Sequence, residues 1–166
     1  MPPSQNSAEL LKRLLEADVE LVVVGGIAAI AWGSQQLTKD LDIAAPLTVS
    51  NVARLMSVLR PLEPRFYQAL GKPLVTRTDE ELAAFKNLYL QTSLGIVDVL
   101  SAVPPVGDFA AVAASAKHLE VFSRDCRVIA LDDLIAVKAF VGRPKDKLVE
   151  AELRAIRERL VREPSR

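Results

Sequence analysis

The 166 residues predict an α/β (α+β) fold in which helices pack against a mixed β-sheet. The all-apolar run Leu21–Val24 is typical of a strand covered on both faces, and therefore of a central strand. Two further segments, 87–91 and 96–100, are joined by a short Thr-Ser-Leu-Gly turn and predict an antiparallel pair. From Lys145 onwards, apolar residues recur at helical spacing and predict a C-terminal helix with one face packed on the rest of the chain.

The first half of the chain is predicted to alternate helices and strands. The expected elements are a helix capped by Ser7, a strand at Glu20–Val24, a short buried helix from Ile27 that ends near Gly33, a strand at Leu41–Ala44, and a helix from Ser50 that Pro61 ends. Residues 63–84 show no regular pattern, and we interpret them either as a mobile loop over a binding site or as a long connection.

The part of the chain after residue 103 is predicted to contain three helices and a small hairpin. After a break at Pro104-Pro105, the expected elements are an alanine-rich helix from its cap Asp108 to Ala116, a small hairpin formed by 119–122 and 127–129, a helix capped by Asp132, and the last helix from Lys145. The stretch Gly142-Arg143-Pro144 is predicted to separate the last two helices.

Composition and charge are those of an ordinary globular protein, with 50% hydrophobic and 25% charged residues. The formal net charge is zero, which argues against a general polyanion binder. Residues 138–166 carry nine Lys or Arg against five Asp or Glu. This basic segment is interpreted either as a solvated helix face or as a surface that meets an anionic substrate.

The cysteine content, the N-terminal residues and the longest uncharged run all bear on where the protein is located in the cell. Cys126 is the only cysteine, so an intrachain disulfide is ruled out and a reducing compartment fits. The N-terminal residues lack the charged-then-apolar order of a signal peptide, and the uncharged run 21–38 is too polar towards its end to span a bilayer. We therefore expect a cytoplasmic protein with no membrane partner.

Two adjacent glycines follow the first buried strand and precede an apolar helix. Gly25 and Gly26 have no side chains, so their backbone amides can approach a ligand closely. The helix behind them presents the positive end of its dipole to the same place, which favours a bound anion. This segment is interpreted as a phosphate cradle, and the alternative is a plain turn.

Three aspartates are candidate metal ligands. Asp40 and Asp42 stand two residues apart, so on a strand both carboxylates project from one face. Hard carboxylate oxygens suit Mg²⁺, which takes its remaining ligands from water and phosphate. Asp98 lies between Ile96 and Leu100 on one face of a predicted strand, where a carboxylate is costly unless it is paired or ligated.

In this order, the motifs resemble those of the nucleotidyltransferase superfamily, which has the polymerase β-like fold. The resemblance is closer to its minimal bacterial members and to the abortive-infection type toxin branch. The matching stretches are Gly25-Gly26-Ile27-Ala28, Thr38 to Asp42, Ile96 to Leu100, Lys138, and Arg143-Pro144-Lys145-Asp146. They cover about residues 20–146 and imply one domain, with a catalytic core at 1–130 and a C-terminal helical segment at 131–166.

The resemblance implies an enzyme that moves a nucleoside monophosphate from a triphosphate to a hydroxyl acceptor with Mg²⁺ or Mn²⁺. Asp40, Asp42 and Asp98 would be catalytic and would hold the metal, and Asp98 would either complete a second metal site or accept the proton of the attacking hydroxyl. The nucleotide would be bound by Gly25, Gly26, Thr38, Lys138 and Arg143. Lys138 is otherwise interpreted as an ordinary lysine on a helix surface. Asp146 is otherwise interpreted as a cap of the last helix.

Two other classes of function stay open at this point. One is a non-catalytic nucleotide- or partner-binding module, in which Gln36 replaces a basic residue that relatives often carry. The other is a toxin that depends on a cognate antitoxin. The acceptor is expected to be a tRNA, a protein or a small molecule. The cluster of Lys138, Arg143, Lys145 and Lys147 favours RNA, because such a cluster can guide a phosphate backbone.

Overall fold

The protein is described by a computed structural model over residues 5–163. The chain folds as two compact units. The first contains the residues up to Leu21 together with Lys39–Ser101, and the second contains Val22–Thr38 together with the residues from Ala102 onwards. The predicted α/β class with a mixed sheet is confirmed. The division into a core at 1–130 and a helical segment at 131–166 stays a prediction.

Seven α-helices and nine strands are present in the described part of the chain. In chain order they are α1 (Ser7–Glu16), β1 (Val22–Val24), α2 (Gly25–Trp32), β2 (Leu41–Ala44), α3 (Val49–Leu59), β3 (Arg65–Phe66), α4 (Asp79–Ala83), β4 (Asn87–Thr92), β5 (Gly95–Leu100), β6 (Ala102–Val103), β7 (Gly107–Asp108), α5 (Phe109–Ser115), β8 (Lys117–Val121), β9 (Arg124–Val128), α6 (Leu131–Val141) and α7 (Pro144–Arg162). A 3₁₀ turn at Arg60–Leu62 follows α3.

The sheet of the first unit has the order β3-β4-β5-β2. β2 and β5 are parallel, while β3–β4 and β4–β5 are antiparallel, so the sheet is mixed. The predicted β4–β5 pair is confirmed. One face of the sheet is fully buried and forms the core of this unit, with the side chains of Leu41, Ile43, Leu88, Leu90, Val97 and Val99 at 0% exposure. Apart from the buried Ala44, the alternate residues are only half-buried, and this second face carries Asp42, Tyr89 and Asp98.

Two predictions for the first unit, the cap of its first helix and the lack of regular structure in residues 63–84, differ from the structure. The cap of α1 is Asn6, whose Oδ1 accepts a hydrogen bond of 3.1 Å from the amide of Glu9, and Ser7 is instead a buried residue of the first turn. Ser7 was a reasonable candidate because Ser and Asn cap helices about equally well. The stretch 63–84 is more regular than its composition indicates, because it contains β3 and α4.

The second unit is built around α2 and the strands β1, β9 and β8. β1 runs parallel to β9 and β8 pairs with β9 as the predicted hairpin. Trp32, at the end of α2, donates a hydrogen bond of 2.9 Å from Nε1 to the carbonyl of Ile129. The helix ends at Gly33, as predicted, in the left-handed conformation with φ of 117°.

The C-terminal helices correct a further prediction. α6 begins after Ala130 without a side-chain cap, and Asp132 lies in its first turn. The carboxylate of Asp132 instead forms an exposed ion pair of 2.9 Å with Arg157 of α7. An acid in the first turn is stabilised by the helix dipole even when it is not the cap. None of the helices within residues 5–163 combines the length and the apolar character needed to cross a membrane.

Candidate active site

Two carboxylates lie side by side on the half-buried face of the first unit's sheet, and a third lies near them. Asp42 on β2 and Asp98 on β5 are direct neighbours in the parallel ladder. Leu41 and Ile43, the residues that flank Asp42, are fully buried on the opposite face, so the side chain of Asp42 leaves the core. Asp40 precedes β2 and is close enough for its charge to act on Asp98. The resemblance to the nucleotidyltransferase superfamily predicted this grouping.

The electrostatics of Asp98 are set by burial and by its neighbours. Burial raises the pKa of Asp98 above its ordinary range, and the negative charge of Asp40 adds to the increase. The hydroxyl of Tyr67 donates a hydrogen bond of 2.8 Å to Oδ1 of Asp98, which works in the opposite direction, as does a hydrogen bond between Asp98 and Asp42. Two acids this close favour one shared proton or a bound cation.

Tyr67 was missed by the sequence prediction. It lies in the stretch that follows β3, and its partner Asp98 is 31 residues away along the chain, so no local pattern indicates the contact. Burial raises the pKa of Tyr67, and its hydrogen bond to Asp98 and the charges of Asp98 and Asp40 raise it further. The phenol is therefore a donor that keeps its proton. It also lies edge-on to the ring of Tyr89, with centroids 6.5 Å apart.

The carboxylates match the donor type of a hard divalent cation. Mg²⁺ commonly takes one or two carboxylates and completes its coordination with water and phosphate. Within residues 5–163, no three His, Cys, Asp or Glu side chains are close enough together to form a metal site by themselves. The neighbouring pair Asp42 and Asp98, with Asp40 beside it, therefore fits a cation whose other ligands come from a substrate.

The glycine pair opens α2 in the second unit. Gly25 has a positive φ of 68°, and the helix has no side-chain cap at its N-terminus. The first amides of a helix have no intrahelical partner, which leaves them available to an anion. A Cβ atom on Gly26 would lie only 2.5 Å from Oγ1 of Thr38, so the close approach of Thr38 excludes any side chain at this position. This gives Gly26 a structural role that the sequence did not indicate.

The segment between Gly33 and Thr38 is fixed to α7 by Glu152, another residue that the sequence prediction missed. Oε1 of Glu152 accepts a hydrogen bond from the hydroxyl of Ser34, and Oε2 accepts one of 2.9 Å from the amide of Gln35. The bond from the Gln35 amide lowers the pKa of Glu152, and the bond from Ser34 lowers it further. One carboxylate therefore holds two consecutive residues of this segment.

Lys138 and Arg143, the two predicted nucleotide-binding cations, both contact Asp146 in the second unit. Nε of Arg143 lies 2.6 Å from Oδ2 of Asp146, and Nζ of Lys138 lies 3.4 Å from Oδ1. The amide of Arg143, the N-cap of α7, also donates to Oδ2, so Asp146 closes a capping box from the third position of the helix rather than being the cap itself. The side chain of Asp146 is 2% exposed and that of Arg143 is 69% exposed. The Asp146 carboxylate is therefore buried, whereas most of the Arg143 side chain is exposed.

Comparisons with known proteins identify the fold. No protein-family model matches the sequence, and no curated protein matches it. The structure is similar to the antibiotic-resistance factor ANT(2'')-Ia in solution, with 14% identity and a TM-score of 0.50 over 95% of this chain and 96% of that chain. It is also similar to ANT(2'')-Ia in complex with adenylyl-2''-tobramycin, with 14% identity and a TM-score of 0.51 over 90% and 97%. ANT(2'')-Ia is an aminoglycoside nucleotidyltransferase.

The fold is nucleotidyltransferase-like. At 14% identity, the likeness describes the arrangement of helices and strands rather than the chemistry. On this nucleotidyltransferase-like fold, the predicted residues form three local groups: the three aspartates, the pair Gly26 and Thr38, and the cations around Asp146. Their roles in catalysis and nucleotide binding stay predictions.

Proposed function

We propose that the protein is a metal-dependent nucleotidyltransferase that moves a nucleoside monophosphate from a triphosphate to a hydroxyl acceptor. The observation that carries the proposal is the pairing of Asp42 with Asp98 across β2 and β5, with Asp40 beside them. Burial and the nearby charge of Asp40 disfavour the ionised form of Asp98, which is costly for the fold unless the group serves binding or catalysis.

The residues have distinct roles in the proposed reaction. Asp40 and Asp42, with Asp98 next to them, would hold Mg²⁺ or Mn²⁺, and the cation supplies charge neutralisation for the phosphates. The acceptor oxygen forms a bond to the α-phosphorus while the bond from that phosphorus to pyrophosphate breaks. The proton of the hydroxyl passes to Asp98, whose raised pKa suits a proton acceptor. Tyr67 orients the Asp98 carboxylate through Oδ1.

The triphosphate is assigned to residues of the second unit. The amides at Gly25 and Gly26, which no side chain caps, are donors for phosphate oxygens, and Thr38 adds a hydroxyl close to Gly26. Arg143 offers its exposed side chain. Lys138 is less accessible to a ligand than Arg143, because its side chain is only 14% exposed and contacts Asp146.

A hydroxyl acceptor is supported by the solved neighbour, whose complex contains adenylyl-2''-tobramycin, a nucleotidyl group carried by another molecule. RNA as the acceptor, a toxin role and an antitoxin partner stay predictions. The basic cluster that favoured RNA is partly neutralised, because two of its four cations, Lys138 and Arg143, contact Asp146. A small-molecule acceptor is therefore our preferred form of the proposal.

The proposal is tested by calorimetry with each of the four common ribonucleoside triphosphates and Mg²⁺. Asp42→Asn and Asp40→Asn should each weaken binding of the Mg²⁺–triphosphate complex by more than about tenfold, or about 1.4 kcal/mol, while the fold is retained. The matched control is Asp125→Asn, which changes an aspartate that is 74% exposed in the β8–β9 hairpin. Unchanged binding in both site variants would refute the metal assignment.

Transfer is measured separately with triphosphates labelled at the α-phosphate, incubated with Mg²⁺ and a cell extract. The wild-type protein should label an acceptor, and Asp98→Ala should lose the labelling while it keeps part of the triphosphate binding. Normal labelling by Asp98→Ala would show that Asp98 has a structural role only. Triphosphate binding without any labelled acceptor would favour the non-catalytic module instead.

A further inference from the structure

A cavity of about 850 Å³ opens in the first unit beside β3 and β4. Phe66 and Phe85 stack on one another there, with ring centroids 5.7 Å apart and an interplanar angle of 8°. The guanidinium carbon of Arg77 lies 5.6 Å from the centroid of the Phe85 ring. Asn87 and Tyr89 line the cavity and are hydrogen-bonded to each other at 3.0 Å. A cavity of this size accommodates a small organic molecule.

Tyr89 connects this cavity to the carboxylates. Tyr89 and Asp98 are direct partners in the antiparallel β4–β5 ladder, so their side chains leave the same face of the sheet. The other face of β4 is closed, because Leu88 and Leu90 are buried in the core. A molecule bound against the ring of Tyr89 would therefore lie next to Asp98.

The lining determines the kind of molecule that fits. Among the eleven described residues around the cavity, Arg77 and Glu81 carry charge, and their side chains are paired at 3.3 Å. The lining therefore carries no net charge, and it includes the rings of Phe66, Phe85 and Tyr89. Flat aromatic groups bind aromatic rings by stacking, and the ion pair of Arg77 with Glu81 gives a strongly charged partner no advantage.

We propose that this cavity is the acceptor site and that it takes a small, flat aromatic compound, neutral or singly negative, that bears a hydroxyl. The proposal rests on the proposed function for the chemical step. The hydroxyl would point past Tyr89 towards Asp98, which receives its proton when the oxygen bonds to the α-phosphorus and pyrophosphate leaves. A polycationic acceptor such as tobramycin is disfavoured, because the lining offers it one carboxylate that Arg77 already pairs.

The proposal is tested first by binding without nucleotide, using 7-hydroxycoumarin as a fluorescent probe that is flat and carries a phenolic hydroxyl. The wild-type protein should bind it saturably. Phe85→Ala should raise the Kd by at least about tenfold, because it removes the ring on which Phe66 stacks and over which Arg77 lies, and so disrupts the lining. Arg77→Ala changes an exposed side chain and should raise the Kd by a smaller factor without affecting folding.

Matched controls separate the cavity from general effects. Phe140→Ala removes a phenylalanine that is 64% exposed on α6, and Arg13→Ala breaks an exposed i,i+4 pair with Glu9 like that of Arg77 with Glu81. Both should leave the Kd unchanged. Absence of saturable binding would overturn the proposal. So would an unchanged Kd in the Phe85 and Arg77 variants, or displacement of the probe by Mg²⁺–ATP or tobramycin.

Labelling then distinguishes this proposal from the proposed function. With α-labelled triphosphate, the wild-type protein should label 7-hydroxycoumarin in preference to tobramycin or a tRNA pool. If the probe binds the cavity but nothing is labelled, the cavity assignment stands as a binding site and the transferase proposal fails. If tobramycin or tRNA is labelled while 7-hydroxycoumarin is not, the transferase proposal stands and the acceptor proposal is overturned.

Discussion

Tyr67 donates a hydrogen bond of 2.8 Å to Oδ1 of Asp98, a residue that lies 31 positions later in the chain. The contact links the irregular segment after β3 to the central face of the sheet. It also fixes one oxygen of Asp98 as an acceptor, while a second hydrogen bond joins Asp98 to Asp42. The effect of this contact on the pKa of Tyr67 can be measured without knowing the substrate.

We predict that Tyr67 ionises well above the ordinary tyrosine pKa of about 10. Burial is the largest cause of the raised pKa, followed by the hydrogen bond to Asp98 and the negative charges nearby. The chain has two tyrosines, so Tyr89→Phe leaves Tyr67 as the only phenol to follow by ultraviolet absorbance. Asp98→Asn in this background should lower the pKa of Tyr67. Half-ionisation at about pH 10 in the folded Tyr89→Phe protein would contradict the contact.

Asp146→Asn should destabilise the protein by about 2 kcal/mol at neutral pH, because hydrogen bonds to a buried charged group are lost. The carboxylate is 2% exposed and accepts from Arg143 and Lys138. Asp132→Asn is the matched control, since its ion pair with Arg157 is exposed and such pairs contribute about 0–1 kcal/mol. Urea denaturation of the three proteins measures the difference. Equal losses in both variants would contradict a special role for Asp146.

The same carboxylate should make stability depend on pH in the acid range. The hydrogen bond from Arg143 is the main cause that lowers the pKa of Asp146 in the folded protein, and the charges of Lys138 and Arg143 add to it. The stabilisation is therefore complete above the unfolded pKa of about 3.9 and is lost as the pH falls through the lower folded pKa. The stability difference between wild type and Asp146→Asn should shrink in that range. A constant difference down to about pH 2 would show that the pKa is not lowered.

Gly26→Ala should destabilise the protein by about 1–3 kcal/mol through overpacking. The new Cβ would lie 2.5 Å from Oγ1 and 2.7 Å from Cβ of Thr38. Thr38→Gly removes both atoms, so Gly26→Ala combined with Thr38→Gly should recover much of the loss. A double-mutant cycle by urea denaturation gives the coupling energy. Additive effects of the two substitutions would rule out the predicted clash.

Asn51→Leu should cost about 3 kcal/mol, because it removes a buried amide that satisfies three backbone groups. Asn51 is 3% exposed; its Oδ1 accepts from the amide of Glu20 at 2.8 Å, and its Nδ2 donates to the carbonyls of Glu20 and Pro46 at 3.0 Å each. Gln36→Leu, at an exposed position, is the matched control and should change stability by about 0.5 kcal/mol or less. Similar thermal midpoints for both variants would contradict this role of Asn51.

Much of the fold follows from local patterns in the sequence. Leu41–Ala44 alternates around Asp42, the pair β4–β5 is divided by a turn with Gly95, and Gly33 ends α2 in the conformation that glycine adopts most easily. In these cases the signal lies within a few residues of the structure that it predicts. Local patterns place Asp42 and Asp98 on strands, whereas their grouping was expected only from the resemblance to the nucleotidyltransferase superfamily, because no local pattern shows which strands are neighbours.

The remaining features depend on contacts between distant residues. The cap of α1 is Asn6 and not Ser7, because the helix begins one residue earlier than predicted, at Ser7 itself. The structure in 63–84 depends on the stack of Phe66 on Phe85 and on the ion pair of Arg60 with Asp79. Neither Tyr67 nor Glu152 belongs to a motif, and each acts on residues far away in sequence.

The contact between Gly26 and Thr38 also orders the substitutions that this part of the chain can accept. Alanine at position 26 overpacks against Thr38 while Thr38 keeps its side chain, whereas glycine at position 38 is sterically compatible with the present Gly26. If position 38 changes first, the intermediate sequence avoids the clash. If position 26 changes first, the intermediate sequence is overpacked. Homologous sequences should accordingly vary at the two positions together, with position 38 changing first.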